Sequence, residues 1–265
     1  MALMTTPVVI ENPDLPPGLL LHQQVMAISS LKSAYRVQVG SVSTITTSGS
    51  NILSFQNLVS GAGDAVAITN DPDLAVVKNL AFGKWPGASF THLGTDYAQY
   101  EFAEDGYNQN HAGAWTWACI FMAPTGLPSG GVMGTDDGTN TSRLALNTSL
   151  QLQCRHGSTS DTAIATTSNA IVYDVPAVAL VSNDGTGTVR ARLNGGPIAS
   201  ASGDNAVSTD RILIGGVKRL SPTAHWVGDF KGAWLFNADL LSTDLDSVAL
   251  IEEMAEAVYG VQLVN

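Results

Sequence analysis

The chain of 265 residues is predicted to fold as an all-β protein, a two-sheet antiparallel sandwich with a short C-terminal helix and an extended N-terminal arm. Three observations support this class. Short apolar runs alternate at a two-residue period, turn signals rich in Gly, Asn and Asp separate them, and a helical pattern appears only near the C-terminus. The composition agrees, because 26 glycines and only 13% charged residues favour many turns around a large apolar interior.

Strand-like runs follow one another from residue 35 onward. They cover residues 35–39, 52–58, 76–82, 115–122, 142–146, 150–155, 177–182, 189–193 and 211–214. Turn signals lie between them at 60–63, 126–131, 136–138, 183–187 and 194–196. This order predicts antiparallel neighbours joined by short turns.

The last strand carries the strongest pattern. Trp226, Phe230, Trp234 and Phe236 share one parity, so a regular strand would point all four rings to one buried face. Lys231 is predicted to be an outward-facing residue of this strand.

A single amphipathic helix is predicted after this strand. Ser242 or Thr243 serves as its N-cap, and Gly260 ends it. Apolar residues recur at three- to four-residue spacing, which leaves the glutamates Glu252, Glu253 and Glu256 on the solvent side.

Residues 1–34 are predicted to form an N-terminal arm for docking and assembly, and residues 35–265 the sandwich domain. Pro7, Pro13, Pro16 and Pro17 favour an extended arm, after which a short helical stretch leads into the sandwich. The apolar residues of the arm must pack either on the same sandwich or on a neighbouring subunit. We expect a chain without residues 1–30 to remain folded.

Several segments resemble the concanavalin A-like, laminin G-type jelly-roll domains of tailed-phage virion proteins. The segments 212–216 and 226–260 are similar to the family's C-terminus, and 178–196 to its Gly-rich hairpin. Phe55 and Asn57 stand where the family usually has Trp and Asp. The resemblance covers residues 36–260 and implies a jelly-roll fold in a non-enzymatic phage structural protein, namely a head decoration, tail or fibre component.

Charge and hydropathy exclude several partners. The net charge of −11 repels phosphate backbones, so no nucleic-acid partner is expected. No membrane partner is expected either, since no run approaches the ~20 apolar residues that span a bilayer. No Lys or Arg precedes Lys32, which argues against a secretory signal and for synthesis in a host cytoplasm before incorporation into a virion.

The two cysteines lie in strand-like runs. Cys119 shares parity with Trp115, Trp117 and Phe121, so it is predicted to be buried, as is Cys154. They could pair if their strands are neighbours; we expect them to be reduced.

No catalytic residues are predicted, and the chain is expected not to be an enzyme. Glu101, Glu104 and Asp105 lack the carboxylate spacing of sandwich-fold glucanases and are predicted to lie in a solvated loop. Asp229-Phe-Lys-Gly232 shares only three residues with an alginate-lyase strand. A polysaccharide-cleaving enzyme of the same fold remains the alternative.

No cofactor is expected, with Ca²⁺ the one metal considered. The five histidines have no metal-ligand spacing and are predicted to be surface or turn residues. Asp136, Asp137 and Asn140 concentrate the oxygen ligands that Ca²⁺ prefers, with Asn183, Asp184, Asp204 and Asn205 as further candidates. The same residues also suit tight turns, and a calcium-dependent lectin-like protein is a third interpretation.

A host-surface glycan is the predicted ligand. Tyr97, Tyr100 and Tyr107, with Asn108 beside them, combine stacking rings and hydrogen-bonding groups, and Trp85 offers a second platform. The alternative is that these rings pack inside the sandwich. We therefore expect a homo-oligomer that docks on other virion proteins through its arm and presents a glycan-binding rim.

Overall fold

A computed structural model describes residues 17–38, 43–69, 74–82, 85–91, 97–103, 113–126, 130–221 and 225–264. The helices are α1 (Pro17–Met26), α2 (Leu240–Thr243) and α3 (Leu245–Tyr259). The strands are β1 (Leu31–Arg36), β2 (Ile45–Ser48), β3 (Asn51–Phe55), β4 (Ala65–Ala67), β5 (Val76–Phe82), β6 (Trp85–Phe90), β7 (Tyr100–Phe102), β8 (Trp115–Met122), β9 (Gly130–Asp136), β10 (Asn140–Leu146), β11 (Gln151–Ser158), β12 (Ala163–Ala170), β13 (Ala177–Asn183), β14 (Thr188–Leu193), β15 (Ala199–Ser202), β16 (Leu213–Ile214) and β17 (Gly228–Phe236).

The strands form two antiparallel sheets. The open sheet runs β2-β3-β4-β7-β16-β9-β10-β11-β12. The helix-backed sheet runs β5-β6-β17-β8-β13-β14-β15, and β1 also belongs to it, because β1 pairs with the second half of β17. One residue pair, Asn51 with Val76, joins β3 to β5 at one side of the sandwich. The predicted all-β, two-sheet sandwich is confirmed.

Apolar side chains form two layers. The inner core lies between the sheets and contains Phe55, Trp117 and Phe121. The outer core lies between the helix-backed sheet and the helices and contains Val25 and Ile251. The helices therefore cover one sheet, while the outer face of the open sheet has no helix on it in the described part of the chain.

The row of aromatic rings on the last strand is split between these layers. Trp226 and Phe230 lie in the inner core, whereas Trp234 and Phe236 lie in the outer core. The register shifts between Phe230 and Gly232, and this β-bulge reverses the parity of the residues that follow. The prediction of one shared face is wrong, although all four residues are buried.

The bulge residue, Lys231, is buried, so the outward orientation predicted for it is wrong. At this point β17 exchanges its partner β6 for β1. The Lys231 ammonium donates to the carbonyl of Val37, just after β1, and to that of Pro86 in β6, at 2.6 Å for Pro86. Burial, with a contribution from the Arg36 charge, lowers the pKa of Lys231 to about 7.

The described end of the N-terminal segment belongs to the sandwich. Helix α1 packs against α3, and Val25, Leu31 and Ala34 are buried in the outer core. Strand β1 pairs with the second half of β17, so the division predicted between residues 34 and 35 falls inside a strand. Of the two interpretations left open for the arm, residues 17–34 follow the first and pack on their own sandwich. Residues 1–16 lie outside the described part.

Helix α3 begins at Leu245, so its N-cap is Asp244 rather than the predicted Ser242 or Thr243. Residues 240–243 form the short helix α2, and Asp244 caps α3 by accepting a hydrogen bond from the Ser247 N–H at 3.1 Å. Gly260 ends the helix in the left-handed conformation, as predicted.

Three further features concern individual side chains. Glu252 is buried rather than solvent-facing, because its carboxylate pairs with Arg192 at 2.7 Å and accepts from the Gly195 N–H. Cys119 and Cys154 are both buried and free. Among the described helices, none is long and apolar enough to cross a membrane.

Candidate functional site

A cleft of about 410 Å³ opens at one end of the sandwich, where β6 and β8 end and β17 begins; we call it the rim cleft. Its lining comes from five separate parts of the chain: Lys78, Ser89, Phe90, Thr91, Met122, Pro124, Asp174, Val227, Gly228 and Asp229. Concave sites that combine apolar walls with a few polar groups are typical of ligand binding.

Gly228 shapes the floor of the rim cleft. Its φ of +143° is a backbone conformation that residues with a side chain rarely adopt. An added Cβ would lie 2.5 Å from the Met122 carbonyl oxygen and 2.6 Å from the Trp226 ring. Only glycine lets β17 enter the sheet this close to β8.

Asp229 follows directly and places a carboxylate at the cleft. Its backbone pairs with Ser89 on one side and with Met122 on the other, which leaves the residue 4% exposed. The charge is balanced by Lys78, whose Nζ lies 2.6 Å from Asp229 Oδ2. The Lys78 side chain is half exposed, so the buried carboxylate holds an ammonium group at the cleft surface.

Asp174 supplies the exposed carboxylate. It has a left-handed φ of 58°, and its N–H donates to the Ala123 carbonyl at 2.8 Å, which fixes the loop after β12 against the end of β8. Oδ2 accepts a hydrogen bond from Thr125 at 2.7 Å. Within the described chain Oδ1 has no hydrogen-bond donor, so one acceptor faces the solvent.

The remaining wall is apolar. Met122, Pro124 and Val227 are partly exposed, and Phe90 is buried. Apolar side chains beside charged groups can receive a sugar ring, whose C–H groups pack on carbon while its hydroxyls bind polar groups.

The predicted glycan residues do not form one patch. Tyr97 is partly exposed, with its ring 6.3 Å from that of His225, two residues before Val227 in the chain. Trp85 instead packs on the helix side, its ring 6.3 Å from that of Tyr259. Tyr107 and Asn108 lie outside the described residues.

Tyr100 is not a stacking platform, because it is fully buried in the inner core. Its hydroxyl donates to the Ile52 carbonyl at 2.8 Å and accepts from the Ala75 N–H at 3.0 Å. Desolvation of the phenolate raises the pKa of Tyr100 well above the usual tyrosine value.

The predicted calcium residues form the β9–β10 hairpin. Asp136 accepts from the Gly138 N–H and pairs with Arg143 at 2.9 Å, and Asn140 is already the first residue of β10. Burial opposes ionisation of Asp137, but hydrogen bonds from the Thr209, Asn140 and Thr139 N–H groups and the Thr209 hydroxyl lower its pKa to about 2. The carboxylate oxygens of Asp136 and Asp137 therefore stabilise the hairpin turn.

The other two acidic candidates for a calcium site, Asp184 and Asp204, also accept hydrogen bonds from backbone N–H groups. Asp204 accepts from the Ser158 and Ala206 N–H groups, and Asp184 from those of Thr186 and Thr188. Among the described residues, no group of three His, Cys, Asp or Glu side chains could hold a metal ion.

Glu101 is a strand residue rather than a loop residue. It lies in β7 and pairs with Arg211 at 3.1 Å and Arg219 at 2.6 Å. Glu104 and Asp105 fall outside the described residues, so their predicted loop remains a prediction.

Two histidines are buried, contrary to the prediction. His22 lies edge-on to Trp234, and desolvation, followed by the charges of Arg36 and Lys231, lowers its pKa to about 4. His156 is fully buried, with Nδ1 2.7 Å from Ser142 Oγ and Nε2 2.9 Å from Asn205 Oδ1. Burial lowers the pKa of His156 too, so both rings serve packing as neutral groups.

No protein-family model and no curated protein matches the chain. Solved structures do resemble it. Trypanosoma rangeli sialidase in complex with sialic acid has 12% identity and a TM-score of 0.58, over 88% of this chain and 34% of that one. Domain 4 of AbnA, a GH43 extracellular arabinanase from Geobacillus stearothermophilus, in complex with arabinotriose, has 14% identity and a TM-score of 0.57, over 84% and 98%.

The binding domain of botulinum neurotoxin DC in complex with SialylT has 11% identity and a TM-score of 0.54, over 85% of this chain and 52% of that one. The chain thus spans about a third of the sialidase and about half of the toxin domain. At these identities the likeness shows the fold alone: the chain is a jelly-roll β-sandwich.

Proposed function

We propose that this protein is a non-enzymatic glycan-binding module and that the rim cleft is its saccharide site. The carrying observation is that one cleft combines the apolar side chains of Met122, Pro124 and Val227 with the Asp174 carboxylate and the Lys78 ammonium. Two further facts support the proposal. The ring of Tyr97 lies 6.3 Å from that of His225, two residues before the cleft residue Val227, and three structural neighbours were each solved with a saccharide bound.

We propose that the cleft binds a saccharide without cleaving it. Glycoside hydrolysis usually needs one carboxyl group as the acid and a second as the base or nucleophile. Asp229 is tied to Lys78, and Asp174 is held by Thr125, so neither carboxylate of the cleft is arranged for proton transfer. Cleavage of a polysaccharide that disappears in Asp174→Asn would favour the alternative, a polysaccharide-cleaving enzyme.

The saccharide site is tested with Asp174→Asn. Loss of a charged hydrogen-bond acceptor is expected to weaken binding of a ligand identified on a glycan array by about tenfold or more. The control is Asp161→Asn, which removes the same charge from an exposed turn between β11 and β12. Equal affinity of both variants and the wild type, measured by isothermal titration calorimetry, would exclude the cleft as the site.

We also propose that the fold needs no bound cation. The carboxylates of Asp136, Asp137, Asp184 and Asp204 accept hydrogen bonds from neighbouring protein groups. Because a ligand that binds only the folded state raises the melting temperature, EDTA is expected to leave the melting temperature unchanged. A clear rise on adding Ca²⁺ would instead support the calcium-dependent lectin.

The biological setting proposed for this module is a phage virion, on the basis of the sequence resemblance of residues 36–260. In that setting residues 1–16 would dock on other virion proteins or on copies of the same chain. Mass spectrometry of purified particles tests the setting, since a virion component must be present in stoichiometric amounts and its absence would remove this role.

A further inference from the structure

The outer face of the open sheet carries a second polar surface, remote in sequence from the rim cleft. On β10, β11 and β12 the inward residues Leu144, Cys154 and Ala165 join the inner core. The alternate residues therefore point outward. Four of these, together with Asp136 at the end of β9, define the surface that we call the arginine face: Asp136, Arg143, Gln153, Arg155 and Thr166.

The arginine face places two like charges side by side. Arg143 on β10 and Arg155 on β11 are direct cross-strand partners, a position where like charges destabilise a sheet. The chain has only 12 basic residues against 23 acidic ones, so this pairing is not a consequence of a basic composition.

Only one of the two arginines is neutralised. Arg143 donates to Asp136 Oδ2 and to the Thr141 hydroxyl, both at 2.9 Å. Arg155 donates from Nε and Nη2 to the neutral Gln153 Oε1, at 3.2 and 2.8 Å. Within the described chain Arg155 has no carboxylate partner, so the two arginines and Asp136 together keep one positive charge.

The Arg155 guanidinium is also held in place. The Gln153 amide that accepts from it donates in turn to the Thr166 hydroxyl at 3.1 Å, so β11 and β12 fix its orientation. The Nη1 groups of both arginines have no partner among the described residues. A guanidinium pre-oriented with free N–H groups is suited to bind a carboxylate at low entropic cost.

The residues that border Arg143 and Arg155 in this row are small or already paired, while the acidic residues Asp137 and Asp210 lie near Asp136. Next to Arg143 and Arg155 on these strands lie Gly134, paired with Arg143, and Ala145, paired with Gln153. On the far side Glu101 is shared by Arg211 and Arg219. A Cβ added to Gly134 would lie 2.8 Å from Val217 Cγ1, so Val217 packs over this position.

We propose that the arginine face is a second binding site, which takes the carboxylate of an acidic saccharide between Arg143 and Arg155. Such an anion relieves the repulsion between the guanidinium groups, while Gln153 and Thr166 are positioned for sugar hydroxyls. The charge of −11 on the whole protein opposes a polyanion such as nucleic acid but admits one carboxylate. The proposal does not depend on ligand binding in the rim cleft.

The test compares, by isothermal titration calorimetry, a trisaccharide of galacturonic acid with its methyl ester, in which each carboxylate is replaced by an uncharged ester that carries one added methyl group. The wild type is expected to bind the acid at least about tenfold more tightly than the ester, and Arg155→Gln to lose this preference. Lys32→Gln, which removes a positive charge from β1 on the other sheet, is the matched control and should behave as the wild type.

A second variant separates recognition from folding. Asp136→Asn removes the carboxylate that competes for Arg143 but keeps an oxygen for the Gly138 N–H, so the affinity for the acid is expected to rise. A purely structural role of Asp136 predicts no such gain. Equal binding of acid and ester by the wild type, no saturable binding of either, or an unchanged preference in Arg155→Gln would overturn the proposal.

Discussion

Deletion of residues 1–30 is expected to unfold the protein or leave it aggregation-prone. The deletion removes α1, whose Val25 is fully buried and whose Leu21 and Met26 pack against the outer core. His22 would no longer cover the edge of the Trp234 ring. Each buried side chain of this size contributes about 1.5–3 kcal/mol, so the loss is comparable with the ~5–15 kcal/mol that stabilises a typical domain.

Deletion of residues 1–16 is the matched control, because it leaves all of α1 in place. We expect this variant to melt at the wild-type temperature when followed by circular dichroism. If oligomerisation depends on these sixteen residues, light scattering will report a lower mass for the same variant. A chain lacking residues 1–30 that melts like the wild type would show that α1 contributes little. The packing of α1 thus reverses the expectation drawn from the sequence.

Gly228→Ala is the point substitution with the largest expected effect. The added methyl group would meet a backbone carbonyl at 2.5 Å in a conformation that already disfavours side chains. We expect a loss of about 3 kcal/mol or more in the free energy of unfolding, from strain and clash together. Ligand binding in the rim cleft should be lost as well, because the floor of the cleft must move.

Two further glycine-to-alanine variants separate the contribution of backbone strain from that of the steric clash. At Gly126, φ is +89° and an added Cβ meets no atom of the described residues within 4 Å, so Gly126→Ala measures backbone strain. At Gly113 neither constraint is present, and Gly113→Ala should be neutral. Urea denaturation of the three variants gives the comparison. A Gly228→Ala protein no less stable than Gly126→Ala would contradict the close approach of β17 and β8.

Regular strands were predictable from the sequence. The bounds 76–82 and 115–122 agree with β5 and β8, because both runs are apolar and end at turn residues. Strands β2, β4, β6, β7, β9, β12 and β15 were not predicted, and two of them show the reason. Strand β9 contains three glycines and begins inside a segment predicted as a turn, while β12 is mostly Ala, Thr and Ser, which give little hydrophobic alternation.

The prediction that the aromatic rings of β17 share one face was wrong for a different reason. The two-residue alternation of side chains assumes that a strand pairs regularly along its whole length. Whether a bulge interrupts that pairing depends on which neighbouring strands pair with the same edge. The sequence does not show that β6 and β1 meet β17 on either side of Lys231. For the same reason it did not show that a lysine there is buried.

The rim cleft was not predicted at all. Lys78, Asp174 and Asp229 come from three distant segments and meet only through the sheet order. One local signal was present, since Gly228-Asp229 interrupts an aromatic strand with a flexible residue and a charge. Tyr97 was chosen for its ring and is partly exposed, whereas Tyr100 was chosen by the same criterion and is buried in the core, because ring type alone does not report burial.

The partner exchange at Lys231 also has a mechanical consequence. A pull on the chain upstream of β1 loads the hydrogen bonds between β1 and β17, and that force reaches the start of β17 through one bulged residue. Asp229 and Gly228 lie within three residues of it. A force applied through a tether before α1 would therefore act on the second half of β17, and a ligand held beside Gly228 would act on the first half of the same strand.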